Sequence, residues 1–135
     1  MKKSKLILLF FVVTFSMNCC SKKVDVISMH EFQDKILDNK TVVLDVRTEE
    51  EYYGPLGHIN GSILIPINEL EDRLSELNDY KENTIYVVCR SGNRSGFGKD
   101  ILIENNFTAV NVDGGMLDWK TCLLYTSDAA DDTPC

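Results

Sequence analysis

The sequence predicts an α/β domain: a mostly parallel five-stranded sheet with helices on both faces. Three observations carry this reading. Short apolar segments alternate along the chain with segments of helical periodicity. Two of the apolar segments, residues 41–46 (TVVLDV) and 84–88 (TIYVV), are continuous rather than alternating, as strands buried on both faces require. The chain has 135 residues, the length of one domain.

The elements follow in order. Residues 24–27 make a first short strand. Ser28 and Glu31 have the spacing of a capping box, which opens a helix reaching Leu37. Met29, Phe32, Ile36 and Leu37 share one face of it, and Asp38, Asn39 and Lys40 end it. Residues 41–46 are the second strand and residues 63–67 the third. Residues 68–77 read as a helix, with Leu70, Leu74 and Leu77 at helical spacing. Residues 84–88 are the fourth strand. Residues 95–105 form a helix with Phe97, Ile101 and Leu102 in its apolar stripe, and Asn106 suits a left-handed cap. Residues 109–112 are the last strand; Gly114, Gly115 and a helix start carrying Trp119 follow.

Composition bounds the function. Charged residues are 26% and hydrophobic residues 44%, which argues against wholesale disorder and against a polytopic membrane protein. The net charge of −7 argues against a nucleic-acid partner, whose phosphates would be repelled. Five cysteines stand at positions 19, 20, 89, 122 and 135, an odd number with no framework spacing.

Both ends read as something other than domain. Lys2, Lys3 and Lys5 precede an apolar run over residues 6–15, the pattern of a secretory signal over residues 1–20. The run is too short to span a bilayer, which takes about 20 residues. Cys19 and Cys20 close it and resemble the lipobox of bacterial lipoproteins, in which a cysteine is acylated and becomes the new N-terminus. The expected location is therefore outside the cytoplasm, on the periplasmic or outer face of a bacterial membrane, held through Cys19 or Cys20. Residues 122–135 (CLLYTSDAADDTPC) resemble the in-frame translation of a transposon-type sequencing adapter. They are set aside as a non-native tail, and the domain is assigned to residues 21–121, its last helix cut short. Each end carries three charged residues, basic at the front and acidic at the back, so the remaining body keeps the charge of −7. Cys89 is its one cysteine.

Cys89 lies where a strand runs into a tight polar loop, Cys89-Arg90-Ser91-Gly92-Asn93-Arg94, and then a helix. Such a junction makes an anion site. Successive backbone N–H groups point into the loop, and the helix dipole adds partial positive charge. Two arginines reinforce it. All three features favour thiolate, so Cys89 is the candidate nucleophile. In open α/β sheets ligands bind at the carboxyl ends of the strands, where Cys89 stands.

These residues resemble a single rhodanese domain. The active loop of that family has the form Cys-x-x-Gly-x-Arg, met by Cys89, Gly92 and Arg94. A second signature is Asp45-Val46-Arg47, then Glu51-Tyr52, Gly57-His58-Ile59, Gly61 and Pro66; a third is Asp113-Gly114-Gly115 with Trp119. Asn60 and Ser62 depart from the family's usual Pro and Ala. The resemblance implies a sulfurtransferase. Cys89 would take the outer sulfur of thiosulfate or a persulfide as an enzyme persulfide, then pass it to a thiol or cyanide. It implies that no metal or organic cofactor is needed. The loop from Arg90 through Ser91, Gly92, Asn93 and Arg94 to Ser95 would bind the anionic donor, with Arg90 and Arg94 holding it or bracing the loop. Asp45 and Arg47 would orient the loop by hydrogen bonds. His58 is expected to be structural, Tyr52 and Trp119 core, and Glu49-Glu50-Glu51 a solvated face. A phosphatase of the same fold would place five residues between the cysteine and the arginine; four stand here, Arg90 to Asn93. A carrier or sensor of sulfane sulfur that does not turn over is the other alternative.

Overall fold

The computed structural model describes residues 25–38 and 40–128. The expected signal, Cys19, Cys20 and the last part of the tail lie outside the described residues. Five parallel strands form one sheet in the order β1-β5-β4-β2-β3. They are β1 (Val26–Ile27), β2 (Val42–Asp45), β3 (Ile63–Leu64), β4 (Thr84–Val88) and β5 (Thr108–Val112). Among the described residues four α-helices accompany them: α1 (Met29–Ile36), α2 (Glu49–Tyr52), α3 (Asn93–Glu104) and α4 (Gly115–Asp128).

Neighbouring strand residues enter different cores, which places helices on both faces. Leu44, Ile85 and Val87 pack with Leu70, Leu77, Leu102 and Phe107 in one cluster. Val43 and Val88 pack with Met29, Phe32, Ile59, Val112 and Met116 in the other. Consecutive side chains of a strand point to opposite faces, so continuous apolar runs are what a sheet covered twice demands. Phe32 of α1 anchors the second cluster. It is fully buried, with ring centroids 5.5 Å from Tyr86 and 6.4 Å from Trp119.

The capping box at α1 is complete: the Ser28 hydroxyl accepts from the Glu31 N–H, and the Glu31 carboxylate accepts from the Ser28 N–H at 2.9 Å. Asn106 adopts φ 65°, the left-handed conformation, just after α3.

The differences from expectation are local. Residues 68–77 do not form an α-helix. The chain there makes turns and then a 3-10 helix, Leu74–Tyr80. Asp72, Ser75, Asn78 and Asp79 are poor helix formers, and the leucines reach the core without one: Leu70 and Leu77 are fully buried. Phe97 is not in the apolar stripe of α3 but 69% exposed. The buried face is Ser95, Gly98 and Leu102. A Cβ on Gly98 would come within 3.2 Å of Val46 and Val87, so α3 lies close on the sheet along Gly98 and turns Phe97 outward. α4 runs from Gly115 through Cys122 to Asp128, across the assigned domain end at Thr121. Cys122 packs at the edge of the Phe32 cluster, and a helix seated by Met116 and Trp119 propagates at little cost.

Candidate active site

β4 carries the chain to Cys89 at the carboxyl end of the sheet, and α3 begins four residues later at Asn93. The loop curls back because Gly92 takes φ 102°, a conformation that favours glycine. The curl brings the Gly92 N–H to 3.1 Å from Cys89 Sγ. Ser95, one turn into α3 and fully buried, places its Oγ 3.3 Å from the same sulfur and 2.9 Å from the Gly92 carbonyl oxygen. Its single proton serves one of these acceptors at a time.

Burial is the largest influence on the Cys89 thiol and pushes its pKa up. The Ser95 hydroxyl and the backbone N–H groups of Ser95, Ser91 and Gly92 together outweigh it, and the thiol ends below its ordinary value. In a cysteine only 1% exposed, these hydrogen bonds favour the thiolate over the thiol against the cost of burial.

The two loop arginines differ. Arg94 turns back to Glu51 and makes a two-pronged bridge, Nη1 to Oε2 at 2.6 Å and Nη2 to Oε1 at 2.7 Å. This guanidinium holds the Glu51 carboxyl down to about 2. Glu51 also completes a second capping box, accepting from the Thr48 N–H at 3.2 Å at the start of α2. Arg94 therefore ties α3 to α2. Arg90 is exposed, and its guanidinium makes no ion pair or hydrogen bond with the described residues. It is the loop arginine whose charge has no partner among the described residues. Ser91 and Asn93 are exposed.

The start of α4 secures the other side of the loop. The Met116 N–H donates to the Cys89 carbonyl at 2.8 Å and the Leu117 N–H to the Arg90 carbonyl at 3.1 Å.

A rhodanese-like domain model matches residues 28–122. The chain belongs to the rhodanese-like family. Among relatives of this rhodanese-like chain is YrkF of Bacillus subtilis (strain 168), named for a proposed sulfur-carrier role. It is 40% identical over 95 residues, 69% of this chain and 49% of YrkF. The thiosulfate sulfurtransferase PspE of Escherichia coli (strain K12) is 37% identical over 75 residues, 56% of this chain and 70% of PspE. The chain thus spans about half the length of YrkF and more of PspE. The crystal structure of a rhodanese-like domain protein from Staphylococcus aureus superposes with a TM-score of 0.64 at 37% identity, covering 71% of this chain and 91% of that one.

In this rhodanese-like domain Asp45 and Arg47 do not reach the sulfur loop with their hydrogen bonds. Both are fully buried and pair with each other, Arg47 Nη2 to Asp45 Oδ2 at 2.7 Å and Nε to Oδ1 at 2.9 Å. The guanidinium also donates to the carbonyls of Glu51 at 3.1 Å and Gly57 at 2.8 Å. The pair organises the segment after β2, and its hydrogen bond to the Glu51 carbonyl links it to the residue that holds Arg94. His58 stacks flat on Tyr52 with centroids 3.9 Å apart, its Nδ1 3.2 Å from the Tyr52 carbonyl. Tyr52 is buried.

Two site residues escaped the sequence reading. The sequence places Glu51 on a solvated face, yet in the structure it anchors Arg94. The Thr48-x-x-Glu51 spacing carried the capping signal, but nothing local announced the bridge. Gly115 stands in the sequence as part of a signature and of the stretch that opens the last helix. Its φ is 56°, and a Cβ there would collide with the Cys89 carbonyl oxygen and lie 2.8 Å from the carbonyl carbon and oxygen of Arg90.

Ser95→Ala removes the one side-chain donor to the sulfur. The pH at which Cys89 becomes half-alkylated by iodoacetamide, followed on the peptide containing it, is expected to move up. An unchanged midpoint would mean that the backbone N–H groups alone hold the thiolate.

Proposed function

We propose that this chain is a sulfurtransferase working through a persulfide on Cys89. The observation that carries the reading is a single buried cysteine sulfur, held by the Gly92 N–H and the Ser95 hydroxyl at the end of a parallel strand. The Cys89 thiolate attacks the outer sulfur of thiosulfate. The S–S bond of the donor breaks, sulfite leaves with its electron pair, and the enzyme keeps a persulfide. A thiol or cyanide, as its anion, then attacks the outer sulfur and Cys89 departs as thiolate. The same N–H groups serve the negative charge in both forms. Arg90 meets the anionic donor, while Arg94, engaged by Glu51, braces the loop. Four residues between Cys89 and Arg94 make a cradle suited to one sulfur rather than to a tetrahedral phosphoryl group.

Mass spectrometry of the full chain after exposure to thiosulfate tests this. The expected result is one added sulfur on Cys89, absent in Cys89→Ala. No added sulfur from thiosulfate or from a persulfide donor would end the sulfur reading. The relative named as a carrier favours a second form of the same chemistry, in which the domain loads once and waits for a partner. Repeated turnover of thiosulfate with cyanide supports the enzyme; a single equivalent loaded and held supports the carrier.

We further propose that the protein is exported and anchored to a bacterial membrane through an acylated Cys19 or Cys20, on the strength of the basic start and short apolar run. The same spectrum reads this directly. The expected mature chain begins at an acylated cysteine; one that retains Met1 and carries no acyl group overturns the anchor.

A further inference from the structure

All five strands run the same way, so their amino ends share one end of the molecule and Cys89, just past β4, stands at the other. Asp25 immediately precedes β1 and so lies at the amino end. It is five residues from Cys20 and six from Cys19. An extended chain covers at most about 3.6 Å per residue, so a tether from either cysteine spans no more than roughly 18–22 Å. A domain of about 100 residues has a radius of gyration of about 13 Å, which makes it a globule roughly 34 Å across. A tether shorter than the domain, and fixed at one end of it, cannot bring the opposite end down onto the surface that holds it.

The end nearest the tether carries apolar surface. Leu37 caps α1 shortly before β2 begins, and at 82% exposure it is the most exposed large apolar side chain among the described residues. Ile103, 43% exposed, borders a groove of about 470 Å³ that also takes in Phe107, Val110 and the first residues of β4 and β5, Thr84 and Thr108. Charge does not choose this end, because Asp38, Asp79 and Glu82 stand there with Lys35, Lys40 and Lys81. Apolar exposure alone does not choose it either. Phe97 is 69% exposed one turn into α3, towards Cys89. The length of the tether decides between them.

We propose that in the anchored protein the amino ends of the strands rest on the lipid surface, with Leu37 and Ile103 against it, and that Cys89 opens on the far side. The proposal rests on the acylated Cys19 or Cys20 proposed above and deepens that reading. Leu37 and Ile103 leave water as they sink among the headgroups, which adds to the hold of the acyl chains. Sulfur then passes between Cys89 and partners in the aqueous phase, not with molecules dissolved in the bilayer.

The test uses the full acylated chain in phosphatidylcholine vesicles, part of whose lipid is brominated on the acyl chains near the headgroup. Flotation with the vesicles reports the anchor, and bromine quenching of tryptophan reports which end meets the lipid. Leu37→Trp and Phe97→Trp are compared after subtracting the signal of Trp119, the one tryptophan of the unmodified chain. Tryptophan has the same affinity for the interface at either position, so the comparison reads placement. A side chain at the interface sits about 5–10 Å into the headgroup and acyl boundary, so quenching in Leu37→Trp should exceed that in Phe97→Trp by about threefold or more. Equal quenching, or stronger quenching in Phe97→Trp, in a protein that floats with the vesicles overturns the orientation and leaves the anchor standing. An unmodified chain that does not float overturns both.

Discussion

Replacing Arg47 by leucine is expected to lower the melting temperature by on the order of 15 °C or more. Arg47 and Asp45 are both fully buried, so the variant leaves a carboxylate in the interior without its partner. Breaking a buried pair from one side costs about 3–5 kcal/mol, a large fraction of the 5–15 kcal/mol that holds a domain folded. The carbonyls of Glu51 and Gly57 lose a donor at the same time, which adds to the loss. The double variant Asp45→Leu with Arg47→Leu should recover part of the stability, because two apolar side chains carry no stranded charge. The two carbonyls keep the recovery partial. Thermal unfolding of the three proteins measures this. A single variant within about 1 kcal/mol of the unmodified protein would show that water reaches Asp45.

Gly115→Ala should disable the sulfur loop more than it unfolds the domain. At φ 56° a side chain costs about 1–2 kcal/mol in backbone conformation alone. The added Cβ also meets backbone, the Cys89 carbonyl oxygen and the Arg90 carbonyl group, and neither can swing aside as a side chain would. Relief requires the loop and the start of α4 to separate, breaking the Met116 and Leu117 N–H bonds that hold the loop down. Sulfur loading should fall by at least tenfold at a temperature where circular dichroism still shows a folded domain. Loading at the unmodified rate would mean that the loop keeps its shape without α4.

The residues that were legible share a property: their signals lie within a few positions. Ser28 and Glu31 are three apart and cap each other. The apolar run of β4 ends at Cys89, the proposed nucleophile, and Gly92 bends the loop over it. Each is a matter of local hydrogen bonding and period, which short stretches encode. Phe97 and residues 68–77 were misjudged because the period of apolar residues does not say how closely a helix approaches a sheet, or that leucines can be buried from turns and a 3-10 helix.

The family, the alternation of strands and helices and Cys89 with its loop were legible in the order of residues alone, since their signals are apolar period and motifs a few residues long. Only the tertiary structure decided the division of labour between the arginines. Arg94 meets Glu51 43 residues away because β2 and β4 pair in parallel, Asp45 beside Val88, which sets the segments after them side by side. The same pairing buries Arg47, spends its charge on Asp45, and leaves Arg90 as the cation at the mouth of the site. Long-range register sets these partners, and charge in a sequence carries no record of which opposite charge it will face.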